Sequence, residues 1–345
     1  MPTAFARSLR AISTLASPET PAAAIPETTE DASFFSTKVN PWRSFAFFMM
    51  LGCAAQLGSY LSALWWPFED LASFRVQYFL FMGIGALIYV IRKRRNAALV
   101  LATFSVVNLI PLVPLYFGPA IPATVATLRV MSINVHTGNK EYEKVLAAVR
   151  TLKPDVAVFL EVDSKWAAQL KPLESEYPYF KRDPRPDNFG LVFYSRIKPE
   201  AFSLRYYGTA DVPTVQAEYN LNGRAFTLIG THPLPPISGE YAQHRNAQLE
   251  ALATMARGST GAVMLIGDLN VTSDTPTFRR LLGTSGLREA RKGFGLHPTW
   301  PVGLLPMYIT IDHCLVSRTI HVHDYRTRPD VGSDHYPVIV DISIE

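Results

Sequence analysis

Three long runs with almost no charge, one after another, limit what this chain can fold into. "FAFFMMLGCAAQLGSYLSALWW" (45–66) and "AALVLATFSVVNLIPLVPLYF" (97–117) hold no charged residue, and "LASFRVQYFLFMGIGALIYVI" (71–91) holds only Arg75, near its start. A helix crosses a bilayer with about 20 apolar residues, so each run has the length of a span. Three core helices of a soluble protein would not account for three such runs in succession. The pattern predicts a membrane domain, residues 41–118, with three transmembrane helices, and a separate domain at 119–345.

The flanking charges orient it. Lys38 and Arg43 precede the first run, "RKRR" (92–95) separates the second from the third, and Glu69 and Asp70 lie in the intervening "PFED" turn. Lys and Arg collect in cytoplasmic loops. The amino terminus and the 92–95 hairpin are therefore expected in the cytoplasm. An odd number of spans then puts 119–345 outside it, on a protein integral to the cell (inner) membrane with the lipid bilayer as its first partner. Trp65, Trp66 and Tyr116 would sit at the outer interface. Residues 1–40, rich in Pro, Thr, Ala and Ser without an apolar period, predict a disordered tail. Its first 17 residues, with two Arg and no acid, read as an unstructured leader.

After the linker "GPAIPAT" (118–124) the character changes. Residues 1–118 hold 9 of the 33 Lys+Arg and 6 of the 29 Asp+Glu, which leaves 24 against 23 for residues 119–345. A domain held to nucleic acid by phosphate contacts usually shows a basic footprint; this near-neutral half has no basic run, so nucleic acid is not indicated. Cys53 and Cys314 form no disulfide framework and no Cys/His zinc spacing. Strands are expected at 128–135, 155–162, 190–196, 262–271, 309–317 and 337–343. A hairpin is expected at 214–232 about Asn222-Gly223, with helices at 140–152, 240–257 and 275–283. This is a mixed α/β domain with antiparallel pairing.

Polar residues recur at the carboxyl ends of these strands: Asn134, Glu161 and His232, then Asp268 and Asn270. Asp312 lies within "ITIDHCL", and Asp334 and His335 precede the last strand. Each has a bland reading as a cap or turn, but the set is harder to dismiss. "SINV", "FLEV", "GTH", "GDLN", "IDHCLVS" and "SDHYPV" stand in the order of the endonuclease/exonuclease/phosphatase superfamily, which the chain resembles over about 127–344. "GLVFYSR" and "PTW" add two further landmarks. These metal-dependent phosphoesterases include DNase I-like nucleases, sphingomyelinases and inositol-phosphate phosphatases.

The resemblance implies a four-layer α/β sandwich, two packed mixed sheets flanked by helices, and a hydrolase acting on phosphoric esters with Mg²⁺, or Mn²⁺ in its place. It implies Glu161 as the central metal ligand, with Asn134 and Asp334 contributing directly or through water. Asp268 would orient or deprotonate the attacking water, and Asn270 would hold a phosphate oxygen. His335 would act as acid/base or clamp, Asp312 would fix its tautomer, and His232 would donate near developing charge. Arg245 and Asn246 are candidates for substrate contact. His136, two residues after Asn134, stands where some abasic-site nucleases have an acid, which counts against that activity, and Leu160 replaces the Gln that often precedes the family's Glu. The expected substrate is a lipid headgroup or small phosphoester. A nuclease is the alternative, and a non-catalytic phospho-ligand module a remoter one.

Overall fold

The computed structural model describes residues 40–118 and 127–345, and residues 45–345 form one compact unit. The predicted tail, but for Asn40, and most of the linker lie outside the described residues. Four helices come first: α1 (Pro41–Ser59), α2 (Trp66–Ala72), α3 (Arg75–Ile91) and α4 (Arg95–Leu109), the last running on into a 3₁₀ stretch, Ile110–Leu115. These helices correct the expectation of three transmembrane helices. Among the described residues only Arg95–Leu115, 21 residues, is long and apolar enough to cross a membrane by itself. The α2–α3 pair reaches that measure only jointly and is bent by 61° at Ser73-Phe74. The first run stops early. Buried Gln56 donates to the Phe104 carbonyl at 3.4 Å, and beyond Ser59 the chain leaves the helix through tight turns to Leu64. With one span, or two if the bent pair counts as one, the odd-number argument for the side of the domain no longer follows.

α3 and α4 lie against each other where side chains are small. A Cβ on Gly85 would meet Met49 Sδ at 2.4 Å and Leu101 Cδ1 at 2.9 Å. Ser105 Oγ donates to the Phe79 carbonyl at 2.8 Å, and Arg75 donates to Asn108 Oδ1 at 3.2 Å. Met49, Met82, Ala86 and Leu101 form the small core. The outer faces are apolar as well: Phe47, Phe48, Leu57, Ile84, Leu87 and Val106 are all more than half exposed.

The remaining elements run in chain order as β1 (Leu128–Asn134), α5 (Tyr142–Leu152), β2 (Val156–Leu160), α6 (Ser164–Leu170), β3 (Tyr179–Asp183), β4 (Leu191–Ser195), β5 (Ala201–Tyr206) and β6 (Pro213–Leu221). They continue with β7 (Arg224–Thr231), α7 (Gly239–Gly258), β8 (Ala262–Asp268), α8 (Pro276–Ser285), β9 (Arg288–Glu289), β10 (Asp312–Val316), β11 (Ile320–Thr327) and β12 (Val338–Ile344). Two six-stranded sheets result, ordered β11-β12-β1-β2-β4-β3 and β5-β6-β7-β8-β10-β9. Each has one parallel pair at its centre, β1 with β2 and β7 with β8, between antiparallel neighbours. Alternation along buried strands sends one set of side chains between the sheets and the other outward. Val130, Val158, Phe193, Leu228, Met264 and Val340 meet in the middle. Met131, Phe159 and Ile339 pack outward under α5 and α6, and Leu265 and Leu315 under α7 and α8. The four layers expected from the family resemblance are present. The predicted hairpin turns at Asn222-Gly223, both with positive φ (57° and 85°), as a tight two-residue β-turn requires.

A buried polar knot ties the β9 end of the second sheet. Arg291 donates to Glu289 Oε1 at 2.9 Å and to Thr310 Oγ1 at 2.8 Å, and Ser273 donates to the same carboxylate at 2.7 Å. Burial would raise the Glu289 pKa, but Arg291, His313 and Ser273 outweigh it and hold it well below the carboxylate range. With the folded value depressed, the stabilisation is fully present above the unfolded value near ~4.3 and is lost as pH falls through the folded value. Glu289→Gln should lower stability at pH 7 by about 3–5 kcal/mol, because it leaves Arg291 buried without its counter-charge. Urea unfolding of variant and wild type between pH 7 and 3 should then converge as acid is added. Curves that stay parallel would show that the Glu289 charge contributes nothing.

Candidate active site

The ends of the two parallel pairs meet along one edge of the sandwich. In the first sheet β1 ends on Asn134, opposite Leu160, so Glu161 emerges beside it, and the loop into β12 delivers Asp334 and His335. In the second, β7 leads to His232, β8 ends on Asp268, and the antiparallel β10 begins with Asp312 directly opposite Asp268. Asn134 joins the sheets, its Nδ2 donating to Glu161 Oε1 at 2.8 Å and to Asp268 Oδ2 at 3.2 Å. Glu161, His136 and Asn270 all sit at positive φ (58°, 55° and 49°). For Glu and His this is an uncommon backbone state that costs energy, and such residues cluster at functional sites.

His335 is the centre of a buried chain. Its Nδ1 lies 2.9 Å from Asp312 Oδ2 and 3.8 Å from Asp268 Oδ2, while Nε2 faces Asn134. Burial by itself would lower the imidazole pKa, but Asp312, as a charge and a hydrogen-bond acceptor, with Asp268 and Asp334 beyond it, raises it to about 10. Burial likewise works against ionised Asp312, yet His335 holds its carboxyl below the usual range. Asp268 goes the other way, raised by burial and by the Asp312 charge. The cluster therefore sets the imidazole in a hydrogen bond with one carboxylate and 3.8 Å from a second whose affinity for a proton is raised, which equips it to move protons. Its three members also bring one ligand atom each within 4.8 Å of one another, a donor set that could hold a cation.

A second group faces the cleft. His136 Nδ1 lies 3.4 Å from Asp334 Oδ1 and 3.8 Å from Glu161 Oε2. Trp300 Nε1 donates to the other Asp334 oxygen at 3.2 Å, and Oδ1 is buried with no hydrogen-bond partner. Asn134, expected as a ligand, keeps its amide oxygen on the His136 N–H at 3.0 Å and offers N–H groups to the carboxylates. In this arrangement it positions Glu161.

His232 places Nε2 3.5 Å from Asp268 Oδ2 and leaves Nδ1 buried without a partner beside the Phe189 ring. Asn270 donates its side-chain amide to the Pro233 carbonyl at 2.9 Å, and its backbone N–H donates to Asp268 Oδ1 at 3.0 Å. Of the two residues expected to contact substrate, Arg245 lines the cleft but is fully buried, its guanidinium engaged by Glu69, Asn246 Oδ1 and the Asn270 carbonyl. Asn246 lies on a different depression, away from the cleft. Conversely, the cleft has walls with no counterpart among the expected residues: Asp187 to Phe189 from the loop before β4, and Trp66, Glu69 and Phe74 from the helical segment. His136 and Trp300 drew notice in sequence, through their place beside Asn134 and in "PTW", but without a role.

A sequence profile described as the endonuclease/exonuclease/phosphatase family matches residues 131–335. A search of curated proteins returns no match. Among solved structures, the human nocturnin catalytic domain, solved with a bound sulfate anion, aligns with TM-score 0.53 at 18% identity, covering 67% of this chain and 100% of that one. D. rerio TDP2, solved with a single-strand DNA product, aligns with TM-score 0.53 at 16% identity, over 63% and 98%. An endonuclease/exonuclease/phosphatase from Beutenbergia cavernae aligns at 0.50 and 18%, over 63% and 71%. At these identities the likeness is one of fold.

Proposed function

We propose that this chain, which belongs to the endonuclease/exonuclease/phosphatase family, hydrolyses a phosphoester with a divalent cation held in its cleft, at a membrane surface. The observation that carries this reading is one juxtaposition. The buried Asp312–His335–Asp268 chain opens on the cleft beside Glu161 and Asp334, whose Oδ1 is buried without a hydrogen bond, 3.4 Å from His136 Nδ1. That oxygen, facing Glu161 across His136, fits a cation, because a buried carboxylate oxygen without a hydrogen bond is costly. Glu161 and Asp334 would hold the ion. Oxygen donors suit Mg²⁺, and the His136 nitrogen alongside makes Mn²⁺ equally acceptable. When bound, the ion neutralises phosphate charge and stabilises the leaving oxygen.

The chain's own residues do the rest. Asp268 orients the attacking water and accepts its proton, and His232 supports that carboxylate from the cleft side. His335, kept as imidazolium by Asp312, binds a phosphate oxygen and can protonate the leaving group. The water oxygen bonds to phosphorus, the ester P–O bond breaks, and the departing alkoxide takes a proton to leave as an alcohol. Membrane placement rests on the Arg95–Leu115 helix and the apolar outer faces of α1, α3 and α4. A nuclease is the second reading, favoured by the D. rerio TDP2 likeness with its DNA product.

The full chain in detergent, with Mg²⁺ or Mn²⁺, should hydrolyse bis-p-nitrophenyl phosphate and stop on addition of EDTA. Failure to cleave this ester, plasmid DNA, RNA and phospholipids alike would refute the assignment. Mn²⁺ binding followed by electron paramagnetic resonance locates the ion. Glu161→Gln should weaken binding at least tenfold and Asp312→Asn should not. The opposite result would put the ion in the buried Asp268–Asp312–His335 cluster.

A further inference from the structure

Resting on the phosphoesterase reading, we infer that the substrate is a membrane phospholipid, its apolar body lying against α2 and its phosphate at Asp268 and His335. The catalytic groups and α2 line one cavity of about 670 Å³. Trp66 and Phe74 line it, and Phe189, Pro236, Ile237 and Ile309 add to its apolar surface. A site for a small soluble ester needs no such wall.

The wall is built rather than incidental. Glu69 forms an ion pair with fully buried Arg245, whose guanidinium also reaches the Asn270 carbonyl at 2.9 Å, so α2 is fixed to the loop that carries the catalytic carboxylate. Ser73 Oγ lies 3.1 Å from Thr272 Oγ1, and Gln77 donates to the Tyr308 carbonyl at 2.8 Å. Gly239 lies beside Trp66, where a Cβ would stand in ordinary contact, 3.5 Å from the indole.

Charge disfavours the main competitor. Among the described residues lining the cavity the only Lys or Arg is Arg245, already paired with Glu69, so the lining offers the phosphates of a nucleic acid no free Lys or Arg. One phosphate beside a cation needs none. The position of the cleft names the source of the ligand. Among the described residues, every large apolar side chain left well exposed belongs to residues 47–117, apart from Tyr206, Ile237, Leu304, Leu305 and Met307. Ile237, 70% exposed, stands at the mouth of the cleft, and Leu304 to Met307 form the loop next to α3 through the Gln77–Tyr308 contact. The cleft thus opens beside the surface that suits acyl chains, and α2 joins the two. Large exposed apolar patches of this kind mark interaction sites.

The test uses the full chain in vesicles of phosphatidylethanolamine, phosphatidylglycerol and phosphatidylcholine, with bis-p-nitrophenyl phosphate as the soluble comparison. Phosphorus NMR should show a vesicle phospholipid converted to an alcohol and a phosphomonoester. Trp66→Ser and Ile237→Ser should each lower the ratio of vesicle rate to soluble rate at least tenfold. In the wild type, a phospholipid with a diazirine near the head of its acyl chain should label peptides containing Trp66 or Ile237, which settles the matter even if a variant misfolds. Hydrolysis of the soluble ester with intact vesicle lipid, unchanged ratios, or labelling confined to α3 and α4 would each overturn the inference and leave the phosphoesterase reading standing. Inactivity on every ester would instead remove the reading on which it rests.

Discussion

Replacing Asp268 with Asn should cut turnover of bis-p-nitrophenyl phosphate by about 10²- to 10⁴-fold, the range of a lost general base, and leave the fold and Mn²⁺ binding in place. The amide is nearly the same shape as the carboxylate. It keeps the hydrogen bond from the Asn270 backbone, now 3.0 Å, and stays within reach of His232. What it loses is the ability to take a proton from water, one of the two buried carboxylates around His335, and the acceptor for the Asn134 amide. Removing that negative charge should strengthen the Asp312 carboxylate rather than weaken it, because the two acids repel. Turnover numbers, Mn²⁺ titration and thermal unfolding of the variant separate these effects. A variant that keeps half of the wild-type rate would take Asp268 out of the proton-transfer role.

Glu69→Ala should cost about 3–5 kcal/mol of stability, the penalty for leaving one partner of a buried pair unpaired. The side chains of Arg245 and Glu69 are 1% and 7% exposed, so neither can turn to water when the other is gone. The consequence should be a fall in Tm on the order of 10 °C. Replacing both partners, Glu69→Leu with Arg245→Met, should recover most of it, since a well-packed apolar pair can match a buried ion pair. Thermal unfolding of the two variants in detergent checks this. A loss under about 1 kcal/mol for Glu69→Ala would mean that water reaches the pair, and that α2 is not clamped to the domain.

Much of the sheet region was legible because its strands are buried on both faces. β1, β2, β4, β8, β10 and β12 read as runs of Val, Ile, Leu and Phe bounded by turn residues, and the Asn222-Gly223 turn announced the β6–β7 hairpin. β3, β5 and β11 did not stand out as structural strands of a sheet. "YFKRD" and "AFSLRY" are half exposed, and "IHVHDYRT" alternates, so the apolar signal is halved or broken where a strand lies at or near a sheet edge. The site was legible as residue types at strand ends, since strand order brings those ends together. The pairing of Glu69 with Arg245 was not, because it joins residues 176 apart. Glu69 read only as one of two acids in a turn between apolar runs. The helical segment failed differently. Hydropathy sees each run as a uniform stretch, whereas Gln56, Ser73 and Arg75 make specific polar contacts that stop or bend the helices where a window average cannot register them.

The β6–β7 hairpin gives the molecule a handle. Asn222 and Gly223 are exposed, and a Cβ added at Gly223 would meet nothing within 4 Å. β7, eight residues long, separates this turn from His232, a distance of roughly 26 Å at the usual rise along a strand. A protease cleavage sequence or a biotin-acceptor peptide grafted between Asn222 and Gly223 would leave both the catalytic edge and the helical segment untouched. Cutting or labelling it in sealed right-side-out and inverted vesicles reports directly which compartment the two sheets face.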